Sequence, residues 1–345
     1  MTTKIGGRFP FEPTMPEENG YFSRICPPDG DLVFTMSGRC GTYLCLEDIL
    51  LRDERKVAYV PMYTCETVLA PFEKAGYSFR FYEVDKDLRS IFDPTVLDEI
   101  SLISLCGYYG FCNYDRDFVQ QCKERGIFII EDVTHSLFPA DGIDPLTDYA
   151  AGSFRKWSGV ACGGFALKRS GKFDVAPLPL HQRHVQLRRD FIGGGDELFW
   201  EGEMLLRRIF DRFAGDEESE YIMRHMDIAD ICRRRRENFA AVLAALPGDL
   251  RGIRPVFPRL TDEAVPSHFC LYAEKRDQFQ AYLEEQLIHS TVYWPAGPLI
   301  DLTGHDTVRY VYDHIVSFPC DQRYTPDDMR RIVAALIDYS DRFED

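Results

Sequence analysis

Short apolar runs alternate with helical spacing from about residue 33 to 167. Val57-Ala58-Tyr59-Val60 is one run, stopped by Pro61, and residues 79–84, 102–105 and 127–130 are three more. Between them, 67–75 and 115–125 carry the 3.6-residue period of helices. Each is followed by a glycine, Gly76 and Gly126, able to take the left-handed conformation that ends a helix. Residues 153–154 and 164–168 predict two further strands around a turn. Strand–helix–strand repetition of this kind implies right-handed crossovers and a mostly parallel sheet covered by helices. Ligands of such sheets bind at the carboxyl ends of the strands.

The pattern breaks over 177–220, where Pro177, Pro179, Gly193-Gly194-Gly195 and many charges predict an irregular excursion. The triple glycine reads as a surface loop or flap, since no strand precedes it and no Lys-Ser/Thr follows, as a phosphate loop would need. A helical pattern over 222–246 then leads to strands at 269–273, 290–293 and 315–318 and helices at 276–288 and 326–343. The expected organisation is an N-terminal arm (1–35), a large α/β domain (36–220), and a linking helix with a smaller C-terminal α+β domain (221–345).

The 345 residues suffice for two domains with a large core, and the formal net charge of -16 argues against a nucleic-acid partner. The quartet Arg233-Arg234-Arg235-Arg236 lies within the helical pattern and reads as a solvated, ion-pairing face. The 11 cysteines include no C-x-x-C pair and no compact Cys/His cluster, so no metal is expected. Reduced thiols packed as small hydrophobes suit a cytoplasmic protein. No apolar stretch approaches a membrane span, and residues 1–16 lack the continuous apolar run of a secretory signal.

Chemistry concentrates in two segments. Phe128-Ile129-Ile130-Glu131-Asp132 ends a buried strand on a carboxylate, with His135 three residues on. Ser153-Phe154-Arg155-Lys156-Trp157 then presents a lysine among aromatics, before Gly163-Gly164. A lysine amine can form a Schiff base with an aldehyde, and a strand-end carboxylate can keep a pyridine nitrogen protonated. Taken singly, Asp132 could cap a turn, His135 could satisfy a core polar group, and Lys156 could lie on the surface. Ser37-Gly38-Arg39 opens an apolar helical stretch, which makes either a phosphate seat or a plain helix cap.

In this order, with Pro61-Met62-Tyr63-Thr64, Gly107-Tyr108-Tyr109-Gly110 and a C-terminal Ser317-Phe318-Pro319, the motifs resemble the fold-type-I pyridoxal phosphate (PLP) enzymes. More narrowly, they resemble the DegT-type (DegT/DnrJ/StrS) sugar aminotransferases. The resemblance implies an α/β fold of the aspartate-aminotransferase kind, with Lys156 as the Schiff-base lysine and Asp132 as the pyridinium partner. His135 would lie near the ring oxygen, and Ser37, Gly38, Arg39 and Ser153 would hold the phosphate. Tyr63 or Cys65 would cover the ring, because Cys65 stands where the family has an aromatic. Lys156 follows Ser153 more closely than in the family, and the partner-subunit loop with its Asn and Arg is not recognisable between 180 and 230. Tyr108, Tyr109, Trp294 and Arg323 are the candidates for substrate contact.

The activity so implied is transfer of an amino group from an amino acid, such as glutamate, to a nucleotide-linked keto-sugar, by a homodimer. Three rivals share the fold: a dehydratase, which would carry histidine in place of the lysine; a cysteine desulfurase, which would need a loop cysteine that 170–220 lacks; and a silent binding module.

Overall fold

The computed structural model describes residues 4–343. Helix α1 (Tyr21–Ile25) and strand β1 (Asp31–Thr35) precede α2 (Gly38–Leu50), β2 (Val57–Pro61), α3 (Glu66–Ala75), β3 (Ser78–Val84) and β4 (Ser90–Ile91). Then follow β5 (Leu102–Cys106), α4 (Arg116–Glu124), β6 (Phe128–Asp132), β7 (Tyr149–Ser153) and β8 (Gly164–Lys168). The eight strands form one sheet in the order β1-β8-β7-β6-β5-β2-β3-β4. Strands β7, β6, β5, β2 and β3 pair in parallel, whereas β8, β1 and β4 join antiparallel. The parallel centre is covered on both faces, which is why its strands read as near-continuous apolar runs. Gly76 (φ 85°) and Gly126 (φ 66°) end α3 and α4 in the left-handed region, as their positions predict. β1 enters the sheet, so the last five residues of the segment expected to be an arm belong to the large domain's edge.

The stretch 177–220 is not irregular. It holds two helices that pack on each other, α5 (Gln182–Gly193) and α6 (Leu198–Ile209), and the glycine triplet is the turn between them. Their buried positions, His184, Val185, Arg188 and Ile192 on α5 and Gly202 and Leu206 on α6, follow helical spacing. Only half of those six positions are apolar, and the histidine, arginine and glycine among them hid the period.

The pattern over 222–246 is likewise two helices, α7 (Glu217–His225) and α8 (Ile228–Ala245). Asp227 separates them by accepting the Asp230 amide at 2.9 Å, a helix start. Beyond lie β9 (Ile253–Pro255), β10 (Phe269–Ala273), α9 (Arg276–Glu285), α10 (Asp306–His314), β11 (Ile315–Phe318) and α11 (Pro326–Arg342). β9, β10 and β11 form a small antiparallel sheet with β10 in the middle, and α11 packs on α8. Residues 290–293 contribute only one isolated bridge, Thr291 to Ser317, rather than a strand.

The arginine quartet divides. Arg233 pairs with Asp230 and Glu237 on the exposed face, as expected. Arg235 is fully buried instead. Its guanidinium donates to the carbonyls of Trp157 (3.0 Å) and Ser267 (2.9 Å) and to Gln322 Oε1 (3.0 Å), and lies over the Trp157 ring. A buried guanidinium is tolerated only when its donors are met. Here the carbonyls that meet them tie α8 to the turn carrying Lys156.

Candidate active site

The lysine turn is a single 3₁₀ turn, Phe154–Lys156, between β7 and β8. Phe154 and Trp157 are fully buried on either side of it. The Phe154 amide donates to Gly163 O (2.7 Å), and Trp157 Nε1 donates to Thr134 O (2.8 Å). With both aromatics anchored inward, Arg155 and Lys156 face the opposite way, into a cavity of about 250 Å³ at the carboxyl ends of the parallel strands. Asp132 ends β6 in the same cavity, in register with Cys106 at the end of β5.

α2 enters from a second side. A Cβ on Gly41 would lie 2.3 Å from Phe165 O, and one on Gly164 would lie 2.1 Å from the Ser37 carbonyl carbon. Only glycine permits this approach, and it sets the first turn of α2 beside Ser153 at the end of β7. The Ser37 hydroxyl accepts the Cys40 amide at 3.2 Å. Ser37, Gly38, Arg39 and Ser153 all line the cavity, so free amides, hydroxyls and a guanidinium converge where an anion would sit.

The electrostatics suit a nucleophilic amine and an anion. Burial lowers the Lys156 amine from its ordinary value, Glu203 opposes, and Arg155 and Arg188 add to the lowering. The Lys156 ammonium lies 4.7 Å from the centre of the Tyr293 ring and makes no hydrogen bond or ion pair among the described residues. Burial raises the Asp132 carboxyl, and Thr134, whose amide donates at 2.9 Å, partly offsets this. His135 is kept neutral, well below its ordinary value, by burial and then by Lys156. Its Nδ1 is buried without a partner, and so are the Nε atoms of Arg39, Arg155 and Arg188. Unpaired buried donors of this kind are costly until a ligand meets them.

Of the residues singled out in the sequence, Ser37, Gly38, Arg39, Tyr63, Cys65, Asp132, His135, Ser153, Lys156 and Trp294 line this one cavity. Trp294 packs on His135, with ring centres 4.6 Å apart. The Tyr63 ring is already stacked on Tyr108 at 5.4 Å. Cys65 lies at the start of α3 with its sulfur 2.8 Å from Thr67 Oγ1.

Tyr108, Tyr109 and Arg323, expected at the substrate face, do not line it. Both tyrosines are core residues: the Tyr108 hydroxyl donates to Tyr63 O at 2.8 Å, and that of Tyr109 lies 3.4 Å from the Tyr63 hydroxyl. Arg323 forms a fork on Asp321 and donates to the carbonyls of Gly7 and Arg8, which pins the N-terminal segment to the small domain.

Sequence reasoning passed over Arg155, Arg188, Glu203, Tyr293 and Thr134, which also line the cavity. Arg155 adjoins the lysine and could have been noticed. Arg188 and Glu203 were hidden with the helices that carry them. A larger cavity of about 540 Å³ has Phe111 and Phe257 in its wall, but neither lysine nor histidine lines it. Its Arg116 is paired with Asp141 and Asp144.

No protein-family model matches the sequence, and no curated protein matches it. Solved structures do. PseC of Helicobacter pylori, an aminotransferase of pseudoaminic acid biosynthesis, superposes with a TM-score of 0.73 at 12% identity, covering 99% of this chain and 100% of its own. DesV of S. venezuelae, solved with a ketimine intermediate, gives 0.68 at 18% identity over 98% and 92%. The PLP form of the putative sugar aminotransferase Spr1654 of Streptococcus pneumoniae gives 0.67 at 14% over 98% and 93%. The superpositions cover nearly the whole chain, and its fold is the fold-type-I architecture of these sugar aminotransferase structures.

Proposed function

We propose that the protein is a PLP-dependent aminotransferase that moves the amino group of an amino acid such as glutamate onto a keto-sugar, nucleotide-linked in the cell. The observation that carries this reading is the meeting of Lys156, Asp132 and the α2 anion seat in one cavity. The residues present fit PLP: an amine for its aldehyde, a buried carboxylate for its ring nitrogen, and unpartnered donors on Arg39 and His135 for its oxygens. Bound there, the cofactor supplies an aldehyde and a ring that draws electrons from the reacting carbon.

The chain's own residues do the rest. With its pKa lowered by burial, Lys156 keeps more of its amine unprotonated near neutral pH, which serves it both as nucleophile and as the base that takes and returns the substrate's α-proton. Asp132, with only Thr134 donating to it among the described residues, retains a carboxylate oxygen to hold a proton on the ring nitrogen. Neutral His135 can donate from one ring nitrogen to the ring oxygen while Trp294 fixes its plane. Tyr293, whose hydroxyl lies 2.8 Å from His268 Nε2, closes the small-domain side. Trp294 and Tyr293 are the aromatic surfaces at hand for a sugar face or a base.

A cytoplasmic homodimer belongs to this reading. All eleven cysteines are free thiols, no described helix is long and apolar enough to cross a membrane, and exposed Trp200 and Met204 on α6 offer an apolar contact beside the site. The test is the half-reaction. PLP-loaded protein mixed with L-glutamate should lose the absorbance of the lysine-bound cofactor and release 2-oxoglutarate in equal amount. A panel of nucleotide-linked keto-sugars should then restore the absorbance. Loaded protein that turns over no amino acid would contradict the reading.

A further inference from the structure

The α5–α6 hairpin brings to the lysine a charged group that holding the cofactor does not require. Arg155, beside Lys156 in the turn, and Arg188, on α5, both donate to the same oxygen, Oε1, of Glu203 on α6, Arg188 at 3.4 Å. All three side chains line the cavity. Arg188 is only 6% exposed, and its Nε and that of Arg155 are buried without partners. His184, four residues before Arg188, is fully buried with both ring nitrogens unpartnered. Burial and the two guanidiniums push its pKa down to about 3, so it adds no charge.

Burial drives Arg188 down to about 9, with Arg155 adding and Glu203 opposing, so it remains cationic at neutral pH. For Glu203, burial is outweighed by Arg155, Arg188 and Lys156, which hold its carboxyl at about 2. Two forks that could each grip a carboxylate bidentately therefore share one oxygen, and one positive charge is left over in a buried place. That excess is an invitation to a second anion.

Which anion follows from position. The α2 seat, with Ser37, Gly38, Arg39 and Ser153, already provides for a phosphate. An α-amino acid carries its carboxylate one carbon from the amine that must reach the Lys156 position, so a receptor for it has to flank the lysine. The Arg155–Arg188 pair does so.

We propose that Arg155 and Arg188 receive the carboxylate of the amino donor, and that Glu203 is a resident carboxylate which keeps the pair aligned until the substrate's own displaces it. This rests on the aminotransferase reading above. The hairpin thereby becomes the donor-recognising element, supplied by the same chain that supplies the lysine.

The experiment uses PLP-loaded protein and succinate as an unreactive carboxylate probe, titrated by calorimetry, alongside L-glutamate kinetics. Arg188→Gln should weaken succinate binding and raise the glutamate KM by roughly 10- to 100-fold, with kcat within a few-fold and PLP retention in equilibrium dialysis unchanged. Arg188→Lys should restore part of the loss, since it keeps the charge without the fork. Glu203→Gln, which removes the competing carboxylate, should tighten succinate several-fold.

Release of PLP from Arg188→Gln with succinate affinity retained would assign the pair to the cofactor phosphate and overturn the proposal. A Glu203→Gln protein that melts lower and binds succinate no better would reduce the three to a structural ion pair and overturn it as well. Borohydride reduction of each protein separates this from failure of the wider reading. A phosphopyridoxyl adduct on Lys156 with unaltered succinate affinity sinks the donor receptor alone, and absence of any adduct sinks the aminotransferase reading with it.

Discussion

The two walls of the Lys156 cavity are built in different ways. One wall consists of backbone ends: the last residues of β6 and β7, the 3₁₀ turn and the first turn of α2, held by strand pairing and by glycine contacts too close for any other residue. The other consists of long side chains from the α5–α6 hairpin and of rings from the segment before α10, held by an ion cluster and aromatic packing. Backbone ends are fixed by local sequence and cannot drift far. Long side chains can exchange partners, which suits a wall proposed to admit different substrates. On the proposed reading, chemistry belongs to the first wall, and recognition to the second together with Arg155 of the turn.

Substitutions on the two walls should therefore fail in different ways. The largest effect belongs to Lys156→Ala, which removes the proposed nucleophile and proton carrier together. Transamination should fall by about 10⁴-fold or more, while PLP still binds through the α2 seat. Single-turnover kinetics with L-glutamate measures the first and equilibrium dialysis the second. Asp132→Asn keeps the shape of the side chain and removes its charge. Its kcat should fall by about 10²-fold, near 3 kcal/mol of transition-state stabilisation, with KM for the donor little changed. A rise in KM instead would place Asp132 on the recognition wall and blur the division.

Acid should loosen the hairpin wall first. The His184 pKa falls from 6.5 to about 3 on folding, so below pH 6.5 the unfolded chain binds a proton that the folded chain refuses. The Glu203 pKa falls from 4.5 to about 2, so the unfolded chain takes a second proton as pH drops below 4.5. Both shifts favour unfolding as pH falls from 6.5 toward 2. The melting temperature should decline across that window, and Glu203→Gln should flatten its lower part. A wild-type melting curve indifferent to pH over this range would mean that the cluster is not formed in solution.

Smaller effects test the residues that left the site. Arg323→Lys loses the fork on Asp321 and the bonds to Gly7 and Arg8, so stability should fall by about 1–3 kcal/mol. KM for donor and acceptor should remain unchanged. Tyr108→Phe leaves the Tyr63 carbonyl without its donor and should cost about 1 kcal/mol in denaturant unfolding, again with normal kinetics. A rise in KM for either variant would return that residue to the substrate face.

The same division governs what could be read in the sequence. Phe128-Ile129-Ile130 followed by Glu131-Asp132 announces a buried strand ending on a carboxylate, and Gly163-Gly164 beside Ser153 and Lys156 announces a tight turn. Both are local, and the structure has them where the pattern put them. The hairpin wall was illegible because its buried face includes His184, Arg188 and Gly202, residues whose usual place is not a core. Arg235 was misread for the same reason: a guanidinium belongs inside only when distant carbonyls receive it, and no local pattern reveals that Trp157 and Ser267 do. Tyr108 and Tyr109 carry the right chemistry for a sugar surface. A strand-end turn does not disclose which way its rings point, and these two point into the core they share with Tyr63.

The central claim is that Lys156 is the amine that holds PLP. Protein saturated with PLP, reduced with borohydride and digested should yield one phosphopyridoxyl-modified peptide, the one containing Ser153-Phe154-Arg155-Lys156, in near-stoichiometric amount. Modification at another lysine, or a protein that binds PLP and yields no adduct, would contradict it.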